Sequence, residues 1–221
     1  MSGKTLAEKL EELVRGSQIN EEQLDILLAG FQRLSGSGIV DTALSTGDLA
    51  PDFRLQDQQG GTHSLSEWLE HGPVILQFFR GDWCPYCQTQ LKALTAEQAG
   101  IYALGARLLC ISPETAGKHQ EMTRKLGLEL TLLSDPGGVV ANTYGIAYDL
   151  NAAESGLYSE LGIELTERPD SRQEFLPIPA SYIVLPGGRI GYCFIEPDFR
   201  RRSEPAELLT ELSRLSAGSQ S

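Results

Sequence analysis

A chain of 221 residues with a net charge of −12 gains nothing from counterion release, which excludes nucleic acid and anionic membrane as partners. Its 41% hydrophobic and 22% charged residues exclude wholesale disorder, and its length suits one core plus an extension. No apolar run approaches the roughly 20 residues of a membrane span, and Met1 to Lys9 lack the apolar core of a signal peptide, so a cytoplasmic, reducing location is expected.

Thr5 with Glu8 is a capping-box signal, and Leu6, Leu10, Leu13 and Val14 then share a helical face before Gly16. Asn20 with Gln23 opens a second helix. Its stripe of Leu24, Leu27, Leu28, Phe31 and Leu34 runs to Ser35-Gly36-Ser37-Gly38. Residues 1–44 should thus form a helical N-terminal extension whose stripes are buried on the same subunit or in a homodimer contact.

The main domain is expected over residues 45–216. It enters at Gly47-Asp48-Leu49-Ala50-Pro51-Asp52-Phe53, turns at Gln59-Gly60-Gly61, and reaches a buried strand from Pro73 to Phe79. Then come Arg80-Gly81-Asp82-Trp83-Cys84-Pro85-Tyr86-Cys87 and a helix from Gln88 to Ala103, with Leu91, Leu94 and Ile101 as its apolar positions. Pro85 suits a first helical turn. Residues three apart on a helix share a face, so Cys84 and Cys87 can cycle between dithiol and disulfide, and the helix N-terminus favours a thiolate. A structural disulfide and half of a zinc site are the alternatives. Zinc would need four ligands, and His63, His71 and His119 are scattered in sequence.

Next come a strand at Ala106–Ile111, a helix at Glu114–Lys125 and a strand at Leu128–Leu133, an alternation that predicts a mainly parallel sheet. Ser134-Asp135-Pro136 opens a helix through Val139, Val140 and Tyr144. Residues 146–176, rich in Glu, Asp and Ser, are expected to be an insertion of irregular or short helical structure, of the kind that often shapes a site. Tyr182–Leu185, a Pro186-Gly187-Gly188 turn and Arg189–Phe194 form a hairpin. A last helix starts at Ser203-Glu204-Pro205, and residues 217–221 are expected to be a flexible tail. Cys110 and Cys193 lie in strand-like runs and are expected in the core, with a resolving thiol as the alternative.

The order strand, Cys-x-x-Cys, helix, proline, hairpin, closing helix resembles the thioredoxin fold: an α/β protein with a central mixed sheet flanked by helices. Ala50-Pro51-Asp52-Phe53, the Ser134-Asp135-Pro136-Gly137-Gly138 stretch and the segment at Phe79 are similar to the peroxiredoxins of the alkyl hydroperoxide reductase C and thiol-specific antioxidant family, in particular the branch with an Arg-Gly-x-Trp-Cys-Pro-Tyr-Cys motif and a helical extension. The resemblance implies a thiol peroxidase that needs no cofactor or metal and takes thioredoxin, glutaredoxin or glutathione as reductant. Laying the family's Pro-x-x-x-Thr-x-x-Cys motif on Arg80 to Cys87 puts Cys87 at the peroxide-attacking position, Cys84 at the threonine and Arg80 at the proline. A thiol is a weaker hydrogen-bonding group than that hydroxyl, but it is placed to act as resolving thiol.

Likeness to thioredoxin-type reductases implies the opposite assignment, with Cys84 the exposed nucleophile and a cis bond before Pro179 facing the pair. Trp83 and Tyr86 are expected as walls of the site. Arg80 is either a thiolate stabiliser or one half of a surface ion pair. The functional alternatives are a thioredoxin-like disulfide oxidoreductase and a redox sensor without turnover.

Overall fold

The computed structural model describes residues 4–16, 19–169 and 171–218. In chain order they form α1 (Leu6–Arg15), α2 (Glu21–Gly36), α3 (Ile39–Thr42), β1 (Arg54–Asp57), β2 (Thr62–Ser64), α4 (Leu65–Leu69), β3 (Val74–Phe78) and α5 (Pro85–Ala103). There follow β4 (Arg107–Ser112), α6 (Ala116–Leu126), β5 (Thr131–Ser134), α7 (Val139–Thr143), β6 (Ala147–Asp149), α8 (Ala152–Glu160), β7 (Phe175–Pro177), β8 (Ala180–Val184), β9 (Ile190–Ile195) and α9 (Pro205–Gly218).

The main sheet has the order β2-β1-β5-β4-β3-β8-β9. Only the β3–β4 and β4–β5 junctions are parallel, so the sheet is mixed and not mainly parallel. Chain length between strands accounts for the junctions of strands that are consecutive in sequence. The β1–β2 and β8–β9 connections are short turns, which join antiparallel strands only, whereas the parallel pairs are bridged by α5 and α6.

Side chains alternate across each strand, and this divides the core in two. Val74, Leu76 and Phe78 pack with Leu109, Ile111, Tyr144 and Tyr182 on one face, while Ile75 packs with Leu91, Leu94, Cys110 and Leu212 under α5 and α9 on the other. The redox pair belongs to this second layer. Gln77 points the same way as Ile75; its carboxamide takes hydrogen bonds from Gln90 Nε2 (3.1 Å) and Ser181 Oγ (2.6 Å), so the buried polar group is satisfied.

Both predicted capping boxes are present, at Thr5/Glu8 and Asn20/Gln23. The N-terminal helices pack on their own chain: Leu6, Leu10 and Leu34 are buried, α1 against α5 and α2 against α8. The Glu204 carboxylate accepts the N–H groups of Leu6 (3.0 Å) and Ala7 (2.7 Å), placing an anion at the α1 N-terminus. Arg33 pairs with the buried Glu154 at 2.6 Å, which ties α2 to α8. Val14, Leu24 and Leu28 stay exposed.

Residues 146–176 are more ordered than their composition suggests, because α8 has its own Asn151/Glu154 capping box and β6 pairs with β7. The α9 helix runs on through Gly218, into the first residues of the predicted tail; the rest of that tail, 219–221, lies outside the described residues. The expected cis bond before Pro179 is also corrected, since no described peptide bond is cis. Here the chain runs directly from β7 to β8, and the Ile178 N–H to Ile146 O bond (2.8 Å) holds it extended. The trans form, preferred even before proline, fits that path. No described helix is long and apolar enough to cross a membrane.

His119 is fully buried between Ser112 Oγ (2.7 Å from Nε2) and Ser134 Oγ (3.4 Å from Nδ1). Burial lowers its pKa from 6.5 to about 4. Below pH 6.5 the unfolded chain therefore binds a proton that the folded chain refuses, and stability falls with pH until about pH 4. Wild type should lose up to about 3 kcal/mol more than His119→Gln between pH 7 and pH 4 in urea titrations; equal losses would contradict a neutral buried imidazole.

Candidate active site

Beyond β3, the Phe79 N–H still bonds Ile111 O (3.0 Å), and then the chain leaves the sheet. Cys84 becomes the N-cap of α5, with Pro85 at its first position, so the two sulfurs stand at the positive end of a 19-residue helix. Gly81 is required by close approach: a Cβ there would lie 2.4 Å from Trp83 Nε1 and 2.8 Å from Glu114 Oε1.

Both cysteines are buried, Cys84 at 1% exposure and Cys87 at 0%. The Cys87 sulfur accepts the Arg80 N–H (3.5 Å) and an N–H of the Arg202 guanidinium (3.6 Å). Arg202 is itself fixed, donating from Nη1 to Gln90 Oε1 (2.7 Å) and from Nε to Phe199 O (2.7 Å). Next to it, Ser203 Oγ lies 2.7 Å from Ser181 Oγ, which reaches Gln77. One buried polar chain thus links α5, β3, β8 and the start of α9 behind the sulfur.

Burial opposes ionisation at both thiols. At Cys87 it is outweighed by the hydrogen bond from Cys84 and by the charges of Arg202 and Arg80, which hold its pKa well below the usual thiol value. At Cys84, burial is joined by the hydrogen bond to Cys87 and that neighbour's charge, pushing its pKa well above the usual value. The pair is asymmetric: its surroundings favour ionisation at Cys87 and oppose it at Cys84.

Arg80 is 2% exposed and enclosed by aromatic rings, its Cζ 4.0 Å from the Phe199 centroid, 4.8 Å from Trp83 and 5.3 Å from Tyr158, with Nη2 donating to the Tyr158 hydroxyl. A surface ion pair is therefore the wrong reading of Arg80. A cavity of about 310 Å³ lies beside it, bounded by Trp83, Cys84 and Tyr158 from the main domain and by Leu13 and Leu27 from the N-terminal helices. Cys84 borders this cavity and Cys87 sits behind it.

The structure therefore gathers Arg80, Trp83, Cys84, Pro85 and Cys87 in one place, with Trp83 and Tyr86 as walls. Pro179 is buried at the entry to β8 but does not line the cavity. Cys110 is core, its pKa raised by burial, and Cys193 is half-buried in β9 near Thr46 Oγ1 (3.8 Å). Arg202, Gln90, Phe199 and Tyr158 escaped the sequence reading. Among the described residues no group of three or more His, Cys, Asp or Glu is placed to hold a metal ion.

Among solved structures, peroxidoxin BcpB of Mycobacterium tuberculosis superposes with a TM-score of 0.61 at 22% identity over 79% of this chain and 97% of its own. Peroxiredoxin 6 of Arenicola marina does so with 0.65 at 17% identity over 80% and 76%. At these identities the likeness shows the fold. In sequence, the chloroplastic peroxiredoxin Q of Triticum aestivum is 36% identical over 119 residues, 54% of this chain and 54% of the relative. The chain thus spans about half the length of the curated relatives it matches. The AhpC/TSA family profile matches residues 46–193, two-thirds of the chain and the part of the site around Cys84 and Cys87 that excludes Phe199, Arg202 and the N-terminal walls, and on that match the chain belongs to the AhpC/TSA family.

Proposed function

We propose that the chain is a thiol peroxidase in which Cys87 attacks a hydroperoxide and Cys84 resolves it. The observation that carries this reading is the asymmetry of the pair: the Cys87 sulfur accepts the Arg80 backbone N–H and an N–H of the Arg202 guanidinium, surroundings that favour its thiolate. The Cys87 sulfur attacks the terminal oxygen, an S–O bond forms and the O–O bond breaks. The departing alkoxide takes the Cys84 proton, which leaves Cys84 as a thiolate. That thiolate displaces hydroxide from the Cys87 sulfenic acid and closes the disulfide. Two electrons from thioredoxin, glutaredoxin or glutathione, in a reducing compartment such as the cytoplasm, restore the dithiol.

One observation favours a second reading: Cys84, not Cys87, borders the cavity, as the first cysteine of a disulfide reductase should. Against it, both sulfurs are buried, and Leu13 and Leu27 bound the cavity that Cys84 borders, which obstructs a protein disulfide more than a small molecule. Purified protein given hydrogen peroxide or cumene hydroperoxide with dithiothreitol should consume the peroxide in a reductant-dependent way and accumulate a Cys84–Cys87 disulfide when the reductant is omitted. Retained reduction of insulin disulfides without peroxide consumption would establish the second reading instead.

A further inference from the structure

We infer that α1 and α2, which lie outside the family-matched residues 46–193, form one wall of the substrate site and fit it to bulky apolar organic hydroperoxides in preference to hydrogen peroxide. The inference rests on the thiol-peroxidase reading and adds a specificity determinant to it. Leu13, Ile19 and Leu27 face Leu161, Ile163 and Tyr158 across a cavity of about 310 Å³. Sites for small organic ligands start at about 300 Å³ and are lined mainly by apolar side chains, whereas one water takes up only about 30 Å³. Hydrogen peroxide, hardly larger than water, would leave most of this lining without contacts.

A polar group at the same cavity points to what such a ligand carries. Arg80 lines the cavity, and its Nε is a buried N–H donor with no acceptor in the structure. Buried donors ordinarily find a partner. A hydroperoxide supplies acceptor oxygens at one end and an apolar body at the other. Its terminal oxygen is the part small enough to pass Cys84 and reach Cys87, where it is transferred to sulfur as the O–O bond breaks; the apolar alcohol then leaves, protonated by the Cys84 thiol. The wall is firmly mounted, since Glu204 caps α1, Arg33 pairs with Glu154, and Leu6, Leu10 and Leu34 are buried.

The test compares wild type, Leu27→Trp and Leu13→Trp on cumene hydroperoxide and on hydrogen peroxide, and follows 2-phenyl-2-propanol, the unreactive alcohol product, by saturation-transfer NMR. In wild type, kcat/KM should be higher for cumene hydroperoxide. Filling the cavity in either variant should lower that value by about tenfold or more, lower the hydrogen peroxide value by a several-fold smaller factor, and abolish the alcohol signal. Equal losses on both substrates, or wild type failing to bind the alcohol while consuming hydrogen peroxide, would overturn the wall. Wild type that binds the alcohol, loses it in Leu27→Trp and consumes no peroxide would overturn the peroxidase reading and leave the cavity assignment standing.

Discussion

Cys87→Ser will reduce hydroperoxide consumption to the rate of buffer with reductant alone, while Cys84→Ser will give a burst of one equivalent followed by slow turnover. The difference follows from the separate roles of the sulfurs. A serine hydroxyl at position 87 is not ionised at neutral pH, so Arg202 and Arg80 would surround a group that cannot attack. At position 84 a hydroxyl still donates a hydrogen bond toward Cys87, so the thiolate persists and the first turnover is retained. What it cannot do is form the disulfide. The sulfenic acid must then wait for external reductant to reach a sulfur that is 0% exposed. Stopped-flow traces of peroxide loss with dithiothreitol check both outcomes, and a multiple-turnover Cys87→Ser enzyme would refute the division of labour.

The second large effect belongs to Arg202, which lies 115 residues from Cys87 in sequence and 3.6 Å from its sulfur. Hydrogen bonds to charged groups contribute about 1.5–3 kcal/mol, so Arg202→Met should lower kcat/KM by roughly 10- to 150-fold. The sign of the pH effect separates this from general damage. Arg202 lowers the Cys87 pKa, and removing its charge raises it. The acid limb of kcat/KM should therefore move to higher pH in Arg202→Met, with the loss largest in acid and shrinking in alkali, where the thiol ionises unaided. Arg202→Lys should recover part of both rate and profile. A uniform loss at every pH, unrelieved by lysine, would make Arg202 merely structural.

Much of this site was legible because its signals are local. The apolar run at Val74–Phe78, the three-residue cysteine spacing and Pro85 place the pair at a strand-to-helix junction without any long-range information. Gly187 and Gly188 mark the β8–β9 hairpin for the same reason. Arg202 was invisible because it ends the run Arg200-Arg201-Arg202, which has the look of a solvated charge cluster. For two of the three that look is accurate: Arg200 pairs with Asp198 at 2.7 Å and Arg201 with Glu196 at 3.4 Å, while Arg202 turns inward. Tyr158 was hidden within a polar insertion whose composition masks the helix that presents it. Pro179 misled in the other direction, since proline lowers the cost of a cis bond but the backbone path selects the isomer.

The assignment of the attacking sulfur is tested most directly by trapping sulfenic acid. Cys84→Ser and Cys87→Ser are each mixed with one equivalent of cumene hydroperoxide in the presence of dimedone, and adducts are located and timed by peptide mass spectrometry. The account predicts an adduct on Cys87 in Cys84→Ser, and no adduct on Cys84 in Cys87→Ser over the same interval. A Cys84 adduct appearing in Cys87→Ser at the wild-type rate would contradict it and reverse the two roles.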